Sequence, residues 1–226
     1  MLVAKRSNAG PESRAPLTRE RVLRAAVALA DEAGIDSLTM RELGLRLGVE
    51  AMSLYNHAAN KDDILDGMVD LVVGEIALPA DPADWKEAMR QRAISARAVF
   101  SLHPWASVLM DSRQSSGPAR LHYFDWVVGT LRRAGFSLEL AARAFSLVDS
   151  YIYGFGRQQL NMAVGGATPE ETTEAFLRAI PADEYPYLRQ MVIGYANENG
   201  YDDSADFEFG LDLILGGLER LLERAE

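Results

Sequence analysis

The amino-acid sequence predicts an all-α protein in which an N-terminal three-helix helix-turn-helix domain precedes a larger C-terminal helical bundle. Apolar residues recur at intervals of three and four along most of the chain, which is the helical period, and no segment alternates as a strand does. Between Leu38 and Lys61, two short helical patterns are separated by a turn at Gly48. Such helices can cross steeply and present the second one at the surface.

Composition places the chain among ordinary globular proteins. Of its 226 residues, 48% are hydrophobic and 25% are charged, so disorder is not expected. No run approaches the roughly 18 apolar residues of a membrane span, and the N-terminus lacks the apolar core of a signal peptide. The absence of cysteine excludes disulfides and thiolate metal sites. We therefore expect a cytoplasmic protein without a membrane partner.

The net charge of −10 is unevenly distributed. Residues 1–61 contain nine lysines and arginines against seven aspartates and glutamates, whereas the remainder contains 14 against 26. Contact with nucleic-acid phosphates requires positive charge near the contact surface, not a basic protein as a whole. The asymmetry therefore suits a DNA-binding domain attached to an acidic body.

We expect a flexible arm at 1–16, the helix-turn-helix domain at 17–62, and a ligand-binding and dimerisation domain at 63–226. The arm is polar and interrupted by glycine and proline. Its basic side chains can reach DNA, although a solvated tail without specific contacts is the favoured alternative. They are Lys5, Arg6 and Arg14.

End signals locate the three helices of the first domain. The first spans about 18–33, and Thr39 is a good N-cap for the second, which Gly48 ends as a left-handed residue. The third helix, at about 50–57, has Leu54 as its inward anchor. Its exposed or flanking positions are Ala51, Met52, Ser53, Tyr55, Asn56, His57 and Lys61.

The body is predicted to be helical throughout. A connecting helix capped by Asn60 runs to about Ala77, and Pro79 and Pro82 mark a hinge. The next helix is predicted to start at Asp81-Pro82 or at Asp84 and to end near 102. Further helices are predicted at 104–110, up to 134, at 138–162, from Thr168 onward, at 185–196 and at 203–224.

Two apolar stripes, on the long helix and on the last helix, are predicted to form a four-helix interface between two copies of the chain. The alternative is that both stripes belong to the core of a single chain, since periodicity does not distinguish the two kinds of burial. The predicted interface residues are Ala144, Val148, Ile152, Leu211, Ile214, Leu218 and Leu221.

An aromatic cluster in the body is the candidate effector site, because pockets between bundle helices are mostly apolar with a few polar groups. Ordinary core packing is the alternative for most of its members. The candidates are Trp105, Leu109, Met110, His122, Trp126, Tyr151, Phe155 and Gln158. The histidines lack metal-ligand spacing, and no nucleophile–base pair is visible. We expect no metal, no cofactor and no catalytic site.

The first domain resembles that of the TetR family of bacterial transcriptional repressors. The resemblance spans about residues 17–75 and rests on Ala33-Gly34, Leu38–Leu43, Leu47–Val49, Leu54-Tyr55 and Asn60-Lys61. The segment 135–139, leading into the long helix, is similar to the tetracycline-repressor type of C-terminal domain. The family implies a homodimer that binds a palindromic operator in double-stranded DNA, and an effector, expected here to be largely apolar, that changes the spacing of the two DNA-binding domains.

The resemblance also implies DNA-contact positions. Met40 and Arg41 lie at the operator-facing start of the second helix, beside the N-cap Thr39. Arg41 can chelate guanine or a phosphate, and Met52 can contact a thymine methyl. Two positions depart from the family. Asn56 replaces a frequent aromatic residue, and Leu109-Met110 occupy the neighbourhood of a magnesium-holding histidine, so tetracycline–magnesium recognition is not expected. The alternatives to a regulator are an enzyme and a protein-binding dimer that has lost DNA affinity.

Overall fold

The computed structural model describes residues 16–80, 84–113, 117–163, 169–181, 184–198 and 203–224. In these ranges every element of regular secondary structure is an α-helix or a 3₁₀ helix and no strand is present, which confirms the all-α prediction. The N-terminal arm up to residue 15, the hinge residue Pro82 and the helix-start residue Thr168 lie outside them.

The first four helices follow the predicted caps. They are α1 (Arg19–Ala33), α2 (Met40–Leu47), α3 (Ala51–Leu54) and α4 (Lys61–Val73), with a 3₁₀ turn at Ile35–Ser37 between the first two. The Thr18 hydroxyl accepts a hydrogen bond from the backbone N–H of Arg21, the Thr39 hydroxyl accepts one from Glu42, and the Asn60 side chain accepts one from Asp63. Each contact satisfies an N–H group that the helix leaves unpaired.

The remaining helices form the body. They are α5 (Trp85–Leu102), α6 (Pro104–Ser112), α7 (Pro118–Arg133), α8 (Leu138–Ala163), α9 (Pro169–Ala179), α10 (Pro186–Glu198) and α11 (Asp203–Glu223). α5 and α8 pack together at the centre, α7 contacts both, and α11 lies against α5 and α8. α9 and α10 pack on each other.

Helix α4 connects the two parts of the molecule, as the sequence predicts. It packs against α1 on one side and against α5, α6 and α7 on the other. Ile64, Met68 and Val72 are almost completely buried, and one continuous apolar core extends from α1 through α4 to α11. A displacement of the body helices therefore acts directly on a helix that packs on α1.

Two helices end earlier than predicted. α3 ends at Leu54 rather than His57, because the next residues form tighter i to i+3 hydrogen bonds, such as that from the His57 N–H to the Leu54 carbonyl (2.9 Å). α4 ends at Val73 rather than Ala77, because the chain turns toward α5, where the Ala77 N–H donates to Ser95 Oγ (2.8 Å).

The predicted dimer stripes are mostly core of the single chain. Helical periodicity identified buried positions correctly, but their partners are helices of the same chain, which was the alternative interpretation. Ala144, Val148, Ile152, Leu211 and Leu218 are all at most 4% exposed. Of the remaining two, Ile214 is partly buried and only Leu221, at 48%, is well exposed.

The crossing of α2 and α3 depends on two glycines. Gly48 has φ +66° and ends α2 in the left-handed conformation. Gly44, inside α2, faces the backbone of the following turn, and a Cβ atom there would lie 2.9 Å from the Val49 carbonyl oxygen and 3.2 Å from the Ala51 nitrogen. Only a residue without a side chain permits this close approach.

We expect Gly44→Ala to lower the free energy of unfolding by about 1–3 kcal/mol, because the new methyl group meets backbone that cannot rotate away. Gly154→Ala is the matched control, since no atom of the described residues lies within 4 Å of its Cβ position and alanine in a helix stabilises by about 0.5–1 kcal/mol. Urea unfolding monitored by circular dichroism measures both. Equal effects of the two substitutions would contradict the close approach at α2.

Candidate functional site

The surface of α3 is formed by side chains around one buried anchor. Leu54 is fully buried, whereas Met52 is 72% and Tyr55 47% exposed. Ala51 and Ser53 are partly exposed beside them. The side chains on the outer face are therefore free to contact another molecule.

The other predicted DNA-contact residues surround this face in the chain. Thr39 and Arg41 at the start of α2, Asn56 after α3 and Lys61 at the start of α4 are exposed, while Met40 and His57 are partly buried. Arg41 and Lys61 supply positive charge, and the amide and hydroxyl groups supply neutral donors. This is the set of groups that phosphate and base-edge contacts require.

An ion pair that the sequence interpretation missed, between Arg19 and Asp63, holds the α3 segment in place. Both terminal nitrogens of Arg19 donate to the Asp63 carboxylate (2.6 and 2.9 Å), and one also donates to the His57 carbonyl at the end of the α3 segment (2.8 Å). The same carboxylate accepts from the Ala59 N–H (2.9 Å). The arginine hydrogen bond, followed by that of Ala59, holds the pKa of Asp63 below its usual value. α1, α3 and α4 are thereby fixed to one another.

A second pair fixes α2. Arg46 donates to both carboxylate oxygens of Glu32 on α1, and its Nη1 lies 2.6 Å from Glu32 Oε2. The hydrogen bonds of this pair lower the pKa of Glu32 and raise that of Arg46. Because both groups are at the surface, the pair sets the direction of α2 more than it adds stability.

His103, at the junction of α5 and α6, contacts two carboxylates, one on α1 and one just after α4. Its Nδ1 lies 2.9 Å from Asp31 Oδ1 on α1, and its Nε2 lies 3.3 Å from Glu75 Oε2 after α4. The Trp105 indole N–H donates to the same Asp31 oxygen (2.7 Å). Trp105, predicted to line an effector site, thus lies at the contact between α6 and α1.

The structure separates the other effector candidates. The Trp126 indole donates to the Pro79 carbonyl (3.0 Å), whereas Tyr151 stacks on Phe207 at 5.2 Å and lies 6.0 Å from Phe155. Leu109 is partly buried and Met110 almost completely buried. His122 and Gln158 are exposed. Only Tyr151 and Phe155 form part of one aromatic group.

The polar centre of the body was also missed. Arg92 on α5 is fully buried and donates to Tyr123 (2.6 Å) on α7 and to Asp149 (2.7 Å) on α8. Tyr153 donates to the other Asp149 oxygen (3.0 Å). Burial raises the pKa of both tyrosines, so they remain neutral hydrogen-bonding groups. The available sequence signal was a charged residue on each apolar stripe: Arg92 lies between Met89 and Ala96, and Asp149 lies between Val148 and Ile152.

Among the residues that the structure describes, no group of three His, Asp or Glu side chains is arranged to hold a metal ion. No helix in the described part of the chain is long and apolar enough to cross a membrane.

Comparison with known proteins identifies both parts. Residues 22–68 match the model for bacterial regulatory proteins of the tetR family, and residues 78–222 match that for the tetracyclin repressor-like C-terminal domain. The chain belongs to the TetR family. The HTH-type transcriptional repressor DrrR1 of Streptomyces coeruleorubidus is 33% identical, over 96% of this chain and 82% of that protein.

Further TetR-family relatives cover nearly the whole chain. The class C tetracycline repressor protein of Escherichia coli is 32% identical, over 91% of this chain and 92% of its own length. The structure of the Streptomyces coelicolor TetR family protein ActR in complex with actinorhodin has a TM-score of 0.76 and 28% identity, and covers 92% of this chain and 99% of that one. This TetR-family protein is a ligand-responsive, DNA-binding transcriptional repressor, as the resemblance predicted.

We expect Asp63→Asn to lower the free energy of unfolding by roughly 1 kcal/mol at pH 7, because the asparagine loses the charged pair with Arg19. The folded-state pKa of Asp63 lies below the unfolded value, which is about 3.9. The contribution is therefore complete above about pH 5 and is lost as the pH falls through the unfolded-state and then the lower folded-state pKa.

Urea unfolding between pH 7 and pH 2.5 measures this difference, and wild type and Asp63→Asn should converge in acid. Asp125→Asn, at an exposed position on α7, is the control and should leave the stability unchanged. A difference that persists undiminished at the lowest pH would contradict the role of the ionised carboxylate.

Proposed function

We propose that the protein binds a palindromic operator as a homodimer, with α3 of each copy in a major groove, and that a small molecule bound in the body releases it. The observation that carries this proposal is the exposed face of α3 on a rigidly clamped frame: the Arg19–Asp63 contact holds the helix while Met52 and Tyr55 stay exposed. A fixed frame is what groove recognition requires, because a mobile helix would lose the geometry of its base contacts.

Specific roles follow from chemistry. Met52 and Ala51 are assigned apolar contacts with thymine methyls, and Arg41 is assigned guanine or phosphate. Ser53, Tyr55 and Lys61 are assigned phosphate oxygens. His57 and Asn56 are assigned backbone contacts at the end of α3, and Thr39 and Met40 line the start of α2.

Operator binding is tested first by gel shift with the intergenic DNA beside the protein's own gene, at two salt concentrations and with competitor DNA. A discrete shift that resists competitor supports the proposal. If this DNA and duplexes selected from a random pool are both bound no better than competitor, sequence-specific binding is wrong.

We expect Lys61→Ala to weaken binding to all DNA sequences alike and to reduce the slope of log K against log salt by about one, because one phosphate contact is lost. Lys86→Ala is the control, since Lys86 pairs with Glu219 in the body (2.6 Å). Fluorescence anisotropy titrations from 50 to 300 mM salt measure both variants. An unchanged slope for Lys61→Ala would remove Lys61 from the interface.

We propose that the dimer uses the outward faces of α8 and α11, which share only Leu221 with the predicted stripes. On α11, Phe209 (68% exposed), Leu213 (61%) and Leu221 (48%) recur every four residues with Gly217. They therefore form a stripe that turns gradually around the exposed side of the helix. On α8, Leu147 is 48% exposed. Two such helices from each copy form a four-helix interface, which the family supports.

Leu213→Glu should convert dimer to monomer at micromolar concentration, because it places a charge in an apolar interface. Leu45→Glu is the matched control, since Leu45 is similarly exposed (65%) but lies on α2. Sedimentation velocity gives the stoichiometry of both. If Leu213→Glu stays dimeric, the interface lies on another face.

The junction of α1, α4 and α6 provides a route from effector to DNA. His103 and Trp105 contact Asp31, and Arg113 contacts Asp62 and Asp66 on α4. A shift of α6 would therefore move α1 and α4 together. The free energy of coupling between effector and DNA that this route must carry is about 1–3 kcal/mol.

We propose that the protein is a cytoplasmic regulator and that it does not act as an enzyme.

A further inference from the structure

The side chain of Arg92 has a free edge inside the body. It is fully buried, and its Nη1 makes both of its hydrogen bonds, to Tyr123 (2.6 Å) and Asp149 (2.7 Å). Its Nε and Nη2 are buried and have no hydrogen-bond partner among the residues that the structure describes. Nε carries one N–H and Nη2 carries two, so three buried donors await an acceptor. Donors buried in this way are rare and costly unless something accepts from them.

Nε and Nη2 can bind one ligand group together, because their N–H bonds lie on the same side of the guanidinium plane. In a guanidinium group, Nε–H and one Nη2–H point in parallel from the same side, which is the fork that binds two neighbouring oxygens of one planar group. Because Tyr123 and Asp149 are both held by Nη1, this fork is intact. The side chain is also held in place, since its Cζ lies 5.2 Å from the Tyr123 ring centre. The donors are therefore preorganised.

The surroundings select an aromatic ligand without a negative charge. Asp149 already pairs with Arg92, so an added anion would leave an uncompensated charge in a buried site, which is strongly unfavourable. Aromatic rings surround the pair, with Phe100 5.5 Å from Tyr153 and Phe124 5.8 Å from Tyr123. Flat rings provide apolar area for a planar molecule.

We propose that the Nε–Nη2 edge of Arg92 is the polar anchor of the effector site and binds an uncharged planar aromatic molecule through two adjacent oxygens, such as a ring carbonyl beside a hydroxyl. This assignment rests on the proposed effector-binding function and gives it a ligand class. The expected largely apolar effector thereby acquires one defined polar end.

The test compares two isomers with the purified full-length protein at pH 6. In 1-hydroxyanthraquinone the hydroxyl lies beside the carbonyl, whereas in 2-hydroxyanthraquinone the two oxygens are apart. Quenching of tryptophan and tyrosine fluorescence gives both affinities. We expect the 1-hydroxy isomer to bind about tenfold to a hundredfold more tightly, the effect of hydrogen bonds from a charged group. Equal affinities, or no binding of either isomer, would overturn the assignment.

Two variants locate the preference. Arg92→Lys keeps the positive charge beside Asp149 but has no fork, so it should bind the two isomers equally. Arg90→Lys is the control on the same helix, because Arg90 pairs with Asp212 on the α11 side, and it should keep the preference. If Arg92→Lys does not fold, R92Q/D149N removes both charges and serves instead. A preference retained without Arg92 would mean that its open donors bind only internal water.

A charged probe tests the uncharged ligand class, and a DNA assay tests whether ligand binding releases the operator. Anthraquinone-2-carboxylate should bind more weakly than the 1-hydroxy isomer, and tighter binding would overturn the uncharged ligand class. Each probe is also tested for release of operator DNA. Binding of the 1-hydroxy isomer without release leaves the anchor standing and counts against the proposed release mechanism. Release by another compound, without any isomer preference, leaves the function standing and overturns the anchor.

Discussion

Burial of helix α4 on two sides is the constraint on which the rest of the structure depends. Its apolar side chains pack into α1 of the first domain and into α5, α6 and α7 of the body, with Met68 and Val72 at zero exposure. A well-packed core resists continuous deformation, so the helix can shift only with its neighbours. A ligand that displaces the body helices can therefore displace α3, because the helices around α3 share one apolar core with the body.

Polar contacts then restrict how that shared core can move. Asp63 at the start of α4 holds Arg19 of α1, while Asp62 and Asp66, on the same helix, hold Arg113 at the end of α6. His103 and Trp105 meet Asp31 from the body side. Acidic side chains of α1 and α4 thus contact Arg113, His103 and Trp105, which lie in or beside α6. Such contacts stabilise little individually, but they define the direction in which a displacement is passed on.

Relatives of similar length share the fold and the family, whereas the buried residues at the centre of the body are a feature of this structure. The actinorhodin complex of ActR and the class C tetracycline repressor share the fold and the family. In this chain the centre of the body contains a buried arginine–aspartate pair with two tyrosines. A buried pair of this kind adds little stability compared with apolar residues of the same size. The proposed role in recognising a ligand accounts for the pair, since stability alone does not favour it over apolar residues.

The sequence by itself determined the all-α class, the helix-turn-helix with its caps at Thr39 and Asn60, the left-handed Gly48, and the burial of the stripes on α8 and α11, because caps and periodicity act locally along the chain. Only the tertiary structure decided which neighbour each stripe faces. It placed Ala144 and Leu211 in the core of one chain, Trp105 against Asp31, and Arg92 beside Asp149, 57 residues apart. Periodicity records that a position is buried, whereas the identity of its partner depends on helices distant in sequence.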